Sequence, residues 1–340
     1  MSLPKILAIV AVVLFSVIGI AAIFKAKSGT RQVGAVISQA PFEVELDDEI
    51  QAIVPALSFN PIASNAVNDE SKVLVKEEYI PQKSLIDLPE GDRIEELFNK
   101  QTPLADIVET VVYKSHVAWQ KGRPAWLSDY ASHYNTSKHF IARSLNGKAD
   151  YWKQEVKEGD RFNVFKKDKN IQFHLIVDSS RCKMWLYCLD LDKKQKILLK
   201  TYVVGLGRID ASKTSGLLTP LGTYSLGSKI AIYKPKMMGT HSGQKKEMIT
   251  IFGSRWIPFE KEIGFCTQPA KGFGIHGTPW NRDADGLLDN SNSIGKYESD
   301  GCIRLKTSDI EEIFSIIITK SAMIEIVRDF SEANFAHVGF

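Results

Sequence analysis

Cysteine is scarce, with four residues in 340. That excludes a disulfide-dense scaffold of the kind small secreted domains depend on. A charge excess of one sign is also missing. The chain holds 43 basic and 40 acidic residues, a formal net charge of +3. Lys5, Lys25 and Lys27 lie in the first 27 residues with no acid among them, so residues 28–340 are close to neutral. No sizeable basic patch follows, and no nucleic-acid partner is expected. Hydrophobic residues are 44%, charged residues 24% and aromatics 10%, which excludes a wholly disordered or collagen-like chain. The length accommodates two domains plus tails.

What is present, first of all, is a long apolar run. Ile6 to Phe24 carries no charge, and only Ser16 and Gly19 depart from the apolar theme. As a helix it spans about 28 Å, one hydrocarbon core. A secretory signal has a shorter apolar stretch, so residues 1–27 are expected to be an uncleaved signal anchor in the inner membrane. Lys25, Lys27 and Arg31 follow the span, and Lys5 precedes it. That mild bias alone would hold the C-terminal bulk in the cytoplasm. Residues 28–90 have poor periodicity, scattered prolines (Pro41, Pro55, Pro61, Pro81, Pro89) and an acidic cluster from Glu43 to Glu49. They are expected to be an extended linker.

Residues 91–170 read as a helical and α+β module. Ile94, Leu97 and Phe98, then Leu104, Ile107, Val108, Val111 and Val112, recur at helical spacing. Leu127, Tyr130 and Ala131 predict one helix, and Phe140, Ile141 and Leu145 a second. Between them Asn135-Thr136-Ser137 forms a turn with capping residues. Val156 to Val164 reads as a loop with Gly159, then a strand. The segments "LSDYASHYNTSKHFIARSLN" and "VKEGDRFNVF" resemble a LysM module, a small unit that binds the glycan of peptidoglycan. The usual first strand and its Gly-Asp-Thr turn are not evident; Gly122-Arg123-Pro124 stands there.

From residue 171 to about 330 the pattern is mostly β. Phe173–Val177, Met184–Leu191 and Ile197–Val204 are rich in aromatic and β-branched residues, with turns at Asp178-Ser179-Ser180 and from Asp190 to Lys194. A strand begins at Thr219-Pro220-Leu221-Gly222-Thr223-Tyr224, and another runs from Phe273 to His276. Ser308–Ile318 predicts one substantial helix, with Asp309, Glu311 and Glu312 in its first turn. Met323–Val327 closes with a strand.

The chemistry lies in Ile275-His276-Gly277-Thr278 and, 26 residues after the histidine, Ser299-Asp300-Gly301-Cys302-Ile303-Arg304-Leu305. A nucleophilic cysteine needs its thiolate, and a histidine can take the proton. Gly301 lets a turn approach substrate without a Cβ in the way. Backbone N–H groups of such a turn can face a developing oxyanion. An arginine two residues on offers a fixed cation.

His-Gly-Thr followed by Ser-x-Gly-Cys-Ile-Arg resembles the L,D-transpeptidase catalytic domain of the YkuD type. The upstream Thr-Pro-x-Gly-x-Tyr and the strands "IVDSSRCKMWLYCLDL" and "YVVGLG" fit the same family over about residues 172–328. The resemblance implies a β-sandwich-like fold with one substantial helix and cysteine acyl transfer on peptidoglycan tetrapeptide stems, forming 3→3 cross-links without a cofactor or catalytic metal. It implies Cys302 as nucleophile, His276 as base and later acid, and Gly277 as the residue whose carbonyl orients the imidazole. Gly301, Cys302 and Asp300 would supply oxyanion donors. Ser299, Thr278 and Arg304 complete the substrate-binding set, Arg304 either binding a carboxylate or holding the turn. Such a substrate lies outside the inner membrane, which overrules the charge bias and exports the body. The same site would serve an L,D-carboxypeptidase if water resolved the thioester, or a protein-to-wall ligase if a protein lysine did. A non-catalytic wall-binding tether is the alternative of another class.

Asp300 departs from the histidine many members carry there, and its carboxylate is expected to face away from the thiol. Residues 279–297 are expected to form a loop or lid. Within it Asn281, Asp283, Asp285, Gly286 and Asp289 echo the start of a calcium loop, but position twelve is Asn292 and a solvated loop is favoured. Cys182 and Cys188, in one predicted strand, would sit about 20 Å apart, too far for a disulfide.

Overall fold

The computed structural model describes residues 87–284 and 286–334. The apolar run 6–24 and the linker up to residue 86 lie outside the described residues. Among those described, no helix is long and apolar enough to cross a membrane.

The chain enters along the body rather than away from it. The Pro89 carbonyl accepts the indole N–H of Trp185 at 2.7 Å, and the Gly91 carbonyl accepts the Thr201 N–H at 3.0 Å. A short helix, α1 (Glu95–Phe98), follows. The helix expected to continue through Val112 is absent. Pro103 breaks it, and the β-branched run becomes strand β1 (Val108–Val112). Then come α2 (Leu127–His133), α3 (Lys138–Asn146) and β2 (Arg161–Phe165). Ser137 caps α3 by accepting the Phe140 N–H at 2.9 Å, and Gly147 ends it with φ 75°. β1 and β2 pair antiparallel from Val108↔Phe165 to Val112↔Arg161. β1 lies in apolar residues that also fit helical spacing.

This β–α–α–β unit has a small core around Tyr113, Tyr130, Ile141 and Phe162. Its other face joins the main core. Phe140 lies 4.5 Å from Phe165, and Phe165 lies 5.8 Å from Phe173, between ring centroids.

The body is built on β3 (Ile171–Asp178), β4 (Lys183–Asp190), β5 (Gln195–Val203), β6 (Leu206–Gly207), β7 (Gly222–Leu226), β8 (Ala231–Ile232), β9 (Met238–His241) and β10 (Gln244–Glu247). After α4 (Ile249–Phe252) come β11 (Arg255–Cys266), β12 (Gly274–Gly277), β13 (Trp280–Asp283), β14 (Gly286–Asp289), β15 (Tyr297–Ser299), β16 (Ile303–Leu305), α5 (Thr307–Ile317) and β17 (Ala322–Val327). The main sheet runs β16–β12–β11–β7–β17–β3–β4–β5, with β8 also on β11. The expected sandwich-like layering takes the form of this one curled sheet. Phe173 and Leu175 of β3 share a core cluster with Ile275 of β12, Ile303 of β16 and Ile310, Ile313 and Phe314 of α5. A second cluster around Ile176, Trp185 and Met323 covers the opposite face of β3, β4 and β17. Burial on both faces explains their near-continuous apolar sequences.

β11 is the strand sequence reading passed over. Pro258 and Gly264 interrupt its pattern. The strand tolerates them by pairing with β12 over its first part and β7 over its second, with register shifts after Phe259 and after Ile263. All four cysteines are free. Cys182 sits in the turn before β4 with φ 50°, not inside the strand as expected.

Candidate active site

Parallel pairing of β12 with β16 assembles the site. Ile275 lies opposite Ile303, His276 opposite Arg304 and Gly277 opposite Leu305. Side chains alternate along a strand, so Ile275 and Ile303 enter the core while His276 and Arg304 share the other face. Cys302, two residues before Arg304, reaches the same side. The charge of Arg304 acts on both Cys302 and His276.

His276 is 4% exposed. Its ring sits among aromatics that sequence reading did not single out. Phe252 meets it edge-on at 5.5 Å, and Trp256, its cross-strand partner on β11, lies at 5.9 Å. Nδ1 lies 2.6 Å from the Gly277 carbonyl oxygen. Burial pushes the imidazole pKa down to about 4; the Gly277 carbonyl favours the charged ring, Arg304 opposes it, and the Phe252 carbonyl favours it. Gly253, with φ 62°, brings the backbone after α4 against β12. A Cβ there would fall 2.6 Å from the Gly277 carbonyl carbon, so only glycine permits this approach.

Cys302 is half-buried, and its Sγ lies 3.8 Å from the Gly272 carbonyl oxygen. Burial raises its pKa to about 11; the Gly274 N–H and Arg304 pull it down, and Asp300 pushes it up. The resting pair is therefore neutral thiol and neutral imidazole.

Ser299 holds the nucleophile turn. Its hydroxyl donates to the Cys302 carbonyl at 2.6 Å and accepts the Gly301 N–H at 3.1 Å. Ser299 is buried and its hydroxyl is occupied by the turn. The Gly301 N–H is likewise taken, which leaves the Cys302 N–H as the donor of that pair without a partner among the described residues. Thr278 is fully buried, its N–H donates to the Leu305 carbonyl, and its hydroxyl donates to Asp289 at 2.7 Å, which braces the strand.

The Asp300 carboxylate is exposed and accepts from Arg208 Nη2 at 2.6 Å. Arg304 is half-buried, and burial lowers its pKa. Its Nε is buried without a hydrogen-bond partner among the described residues. A half-buried guanidinium held this way, beside a thiol, suits an incoming carboxylate.

Residues 279–297 fold as the β13–β14 hairpin, a 3₁₀ turn and β15. Asp289 is engaged by Thr278, and Asp283 accepts the Gly286 N–H at 3.0 Å. Asp285 lies outside the described residues. Among those described, no group of three or more metal-binding side chains occurs.

Residues 172–326 match the L,D-transpeptidase catalytic domain, YkuD. Part of the chain is 28% identical over 143 residues to the Bacillus subtilis (strain 168) protein named "Putative L,D-transpeptidase YqjB", covering 42% of this chain and 71% of that one. Among solved structures, Bd1075 of Bdellovibrio bacteriovorus aligns at 16% identity with a TM-score of 0.33, over 46% of this chain and 48% of its own. The helical cell shape determining protein Pgp2 from Campylobacter jejuni aligns at 15% identity and a TM-score of 0.32, over 47% and 49%. The alignments thus span about half the length of those two structures. His276, Cys302 and Arg304 all lie within the matched YkuD segment.

Proposed function

We propose that the protein is a peptidoglycan L,D-transpeptidase that forms 3→3 cross-links through a Cys302 thioester. The observation carrying this reading is the parallel β12–β16 register, which supports His276, Cys302 and Arg304 acting on one face. The Cys302 sulfur attacks the carbonyl of the third stem residue, and its proton passes to His276. The oxyanion forms toward the Cys302 N–H. The imidazolium, stabilised by the Gly277 and Phe252 carbonyls, returns the proton to the amine of the departing D-alanine. The side-chain amine of an acceptor stem then attacks the thioester and releases the thiol. Arg304 holds a substrate carboxylate. Water as acceptor would make the same site a carboxypeptidase, and a protein lysine would make it a wall ligase.

Residues 6–24 anchor the chain in the inner membrane, and residues 91–170 and 171–330 work outside it. The β–α–α–β order supports glycan binding by the upstream module. A cavity of about 120 Å³ lies there beside Tyr151 and Trp152, and the Trp152 indole is 55% exposed.

Intact-mass spectrometry with a carbapenem, then with tetrapeptide stems, tests the enzyme reading. A stoichiometric adduct absent in Cys302→Ala supports it. No adduct in folded protein with a free thiol shifts the role to a wall-binding tether.

A further inference from the structure

The β9–β10 hairpin stands beside the site and none of the steps above uses it. From Lys229 to Lys246 the chain holds five lysines and no acid. The acid that follows, Glu247, is already engaged by Arg282 at 2.5 Å and by the Lys236 N–H at 2.5 Å. Pairing sets Gln244 opposite His241 and Lys246 opposite Gly239. Alternation then puts His241 and Lys246 on one face of the hairpin.

That face looks toward the chemistry. The His241 ring meets Phe252 at 5.5 Å, and Phe252 meets His276 at 5.5 Å. One aromatic ring therefore separates the hairpin from the imidazole. Lys246 and Asp300 both act electrostatically on His241. Asp300 does not neutralise Lys246, because Arg208 holds its carboxylate at 2.6 Å. Lys246 is exposed and makes no ion pair among the described residues.

We infer that Lys246, with His241 beside it, receives a second carboxylate of the stem peptide, the one branching from the residue before the acylated one. This rests on the acyl-transfer reading. A tetrapeptide stem carries two acidic groups on its backbone: the terminal carboxylate of the leaving residue and that upstream branch, which occurs as carboxylate or carboxamide. Arg304 lies against the thiol and suits the first. The second sits two residues away, about 7 Å along an extended chain, a span that the long side chain of a lysine beyond one intervening ring can meet. An exposed lysine would discriminate carboxylate from carboxamide by about three- to five-fold, the modest range of charge-assisted contacts at a surface.

The test measures binding to the full chain carrying Cys302→Ala, using two synthetic tetrapeptide stems that differ only in that carboxylate or carboxamide. We expect the free acid to bind about three- to five-fold tighter. Adding Lys246→Gln brings the ratio close to one, and Lys246→Arg keeps it. Equal affinities in the Cys302→Ala chain, binding of neither stem, or a preference that survives Lys246→Gln each overturn the proposal. Carbapenem adduct formation on the wild-type chain reads the underlying acyl-transfer assignment separately, since it requires neither stem nor hairpin lysine.

Discussion

Nδ1 of His276 lies 2.6 Å from the carbonyl oxygen of Gly277, its own neighbour in the chain. A carbonyl only accepts, so Nδ1 carries the proton and the lone pair of the neutral ring is on Nε2. The imidazole is thus preset as a base. With the Cys302 thiol pushed up to about 11 and the imidazole down to about 4, the proton rests on sulfur. Alkylation of Cys302 by iodoacetamide should therefore rise about ten-fold per pH unit from pH 7 to 9, following the thiolate fraction. A preformed thiolate–imidazolium pair would give a flat profile over that range. Arg304→Gln should slow the reaction at pH 8 by roughly three- to ten-fold, because the guanidinium lowers the thiol pKa.

The same buried imidazole makes stability acid-sensitive. The folded-state pKa of His276, about 4, lies below the unfolded value of about 6.5. The unfolded chain thus binds the proton first. The stability is fully present above about pH 6.5 and lost as pH falls toward 4, about 3 kcal/mol in all. His139, also lowered by burial, adds in the same direction. Urea unfolding at pH 7 and pH 4 should show the loss, and His276→Gln should shrink it by about that amount.

Much of this site was legible because its chemistry is local. His276-Gly277 and Ser299 to Arg304 are short contiguous stretches, and each strand beginning near them has a glycine or proline to mark it. What stayed hidden depends on residues far apart in sequence. Phe252 and Trp256 become neighbours of His276 only through β11, whose proline and glycine disguise a strand. Arg208 meets Asp300 across 92 residues. The β1 strand was misread because Leu104, Ile107, Val108, Val111 and Val112 satisfy helical spacing, and only pairing with β2 decides between the two. The inward hydrogen bonds of Ser299 and Thr278 stayed hidden for a different reason. Sequence places a hydroxyl near the motif but cannot say which way it turns.

Arg255 ties the upstream module to the body. It is 2% exposed and ion-pairs with Asp150, which also lies 3.3 Å from His139; Glu311 of α5 is 3.6 Å from the guanidinium. The next residue is Trp256, which lies against His276. Asp150→Ala should cost about 1–3 kcal/mol, because it leaves the buried guanidinium with only the longer Glu311 pair and the Ser254 carbonyl. The shared Phe140–Phe165–Phe173 core further predicts one cooperative urea transition for residues 91–334. Two separated transitions would show that the module folds independently and that Asp150 does not couple them.

The nucleophile turn offers the sharpest contrast between two small changes. Ser299→Ala removes a buried hydroxyl that ties the Cys302 carbonyl and the Gly301 N–H together. It leaves both backbone groups to find water, at about 1–3 kcal/mol. Gly301→Ala meets a different obstacle. Gly301 has φ 121°, and a Cβ would sit 2.6 Å from Phe273 Cε1 and 2.9 Å from the Leu218 carbonyl oxygen. The Phe273 ring can shift but the backbone carbonyl cannot, so the turn must reopen, and the backbone strain adds about 1–3 kcal/mol. Both variants should lower the melting temperature. Only Gly301→Ala should also move the Cys302 N–H away from the thiol's reaction face, cutting carbapenem acylation by at least ten-fold while iodoacetamide still alkylates the thiol. Acylation in Gly301→Ala at the wild-type rate would mean that the oxyanion is held elsewhere than at the Cys302 N–H.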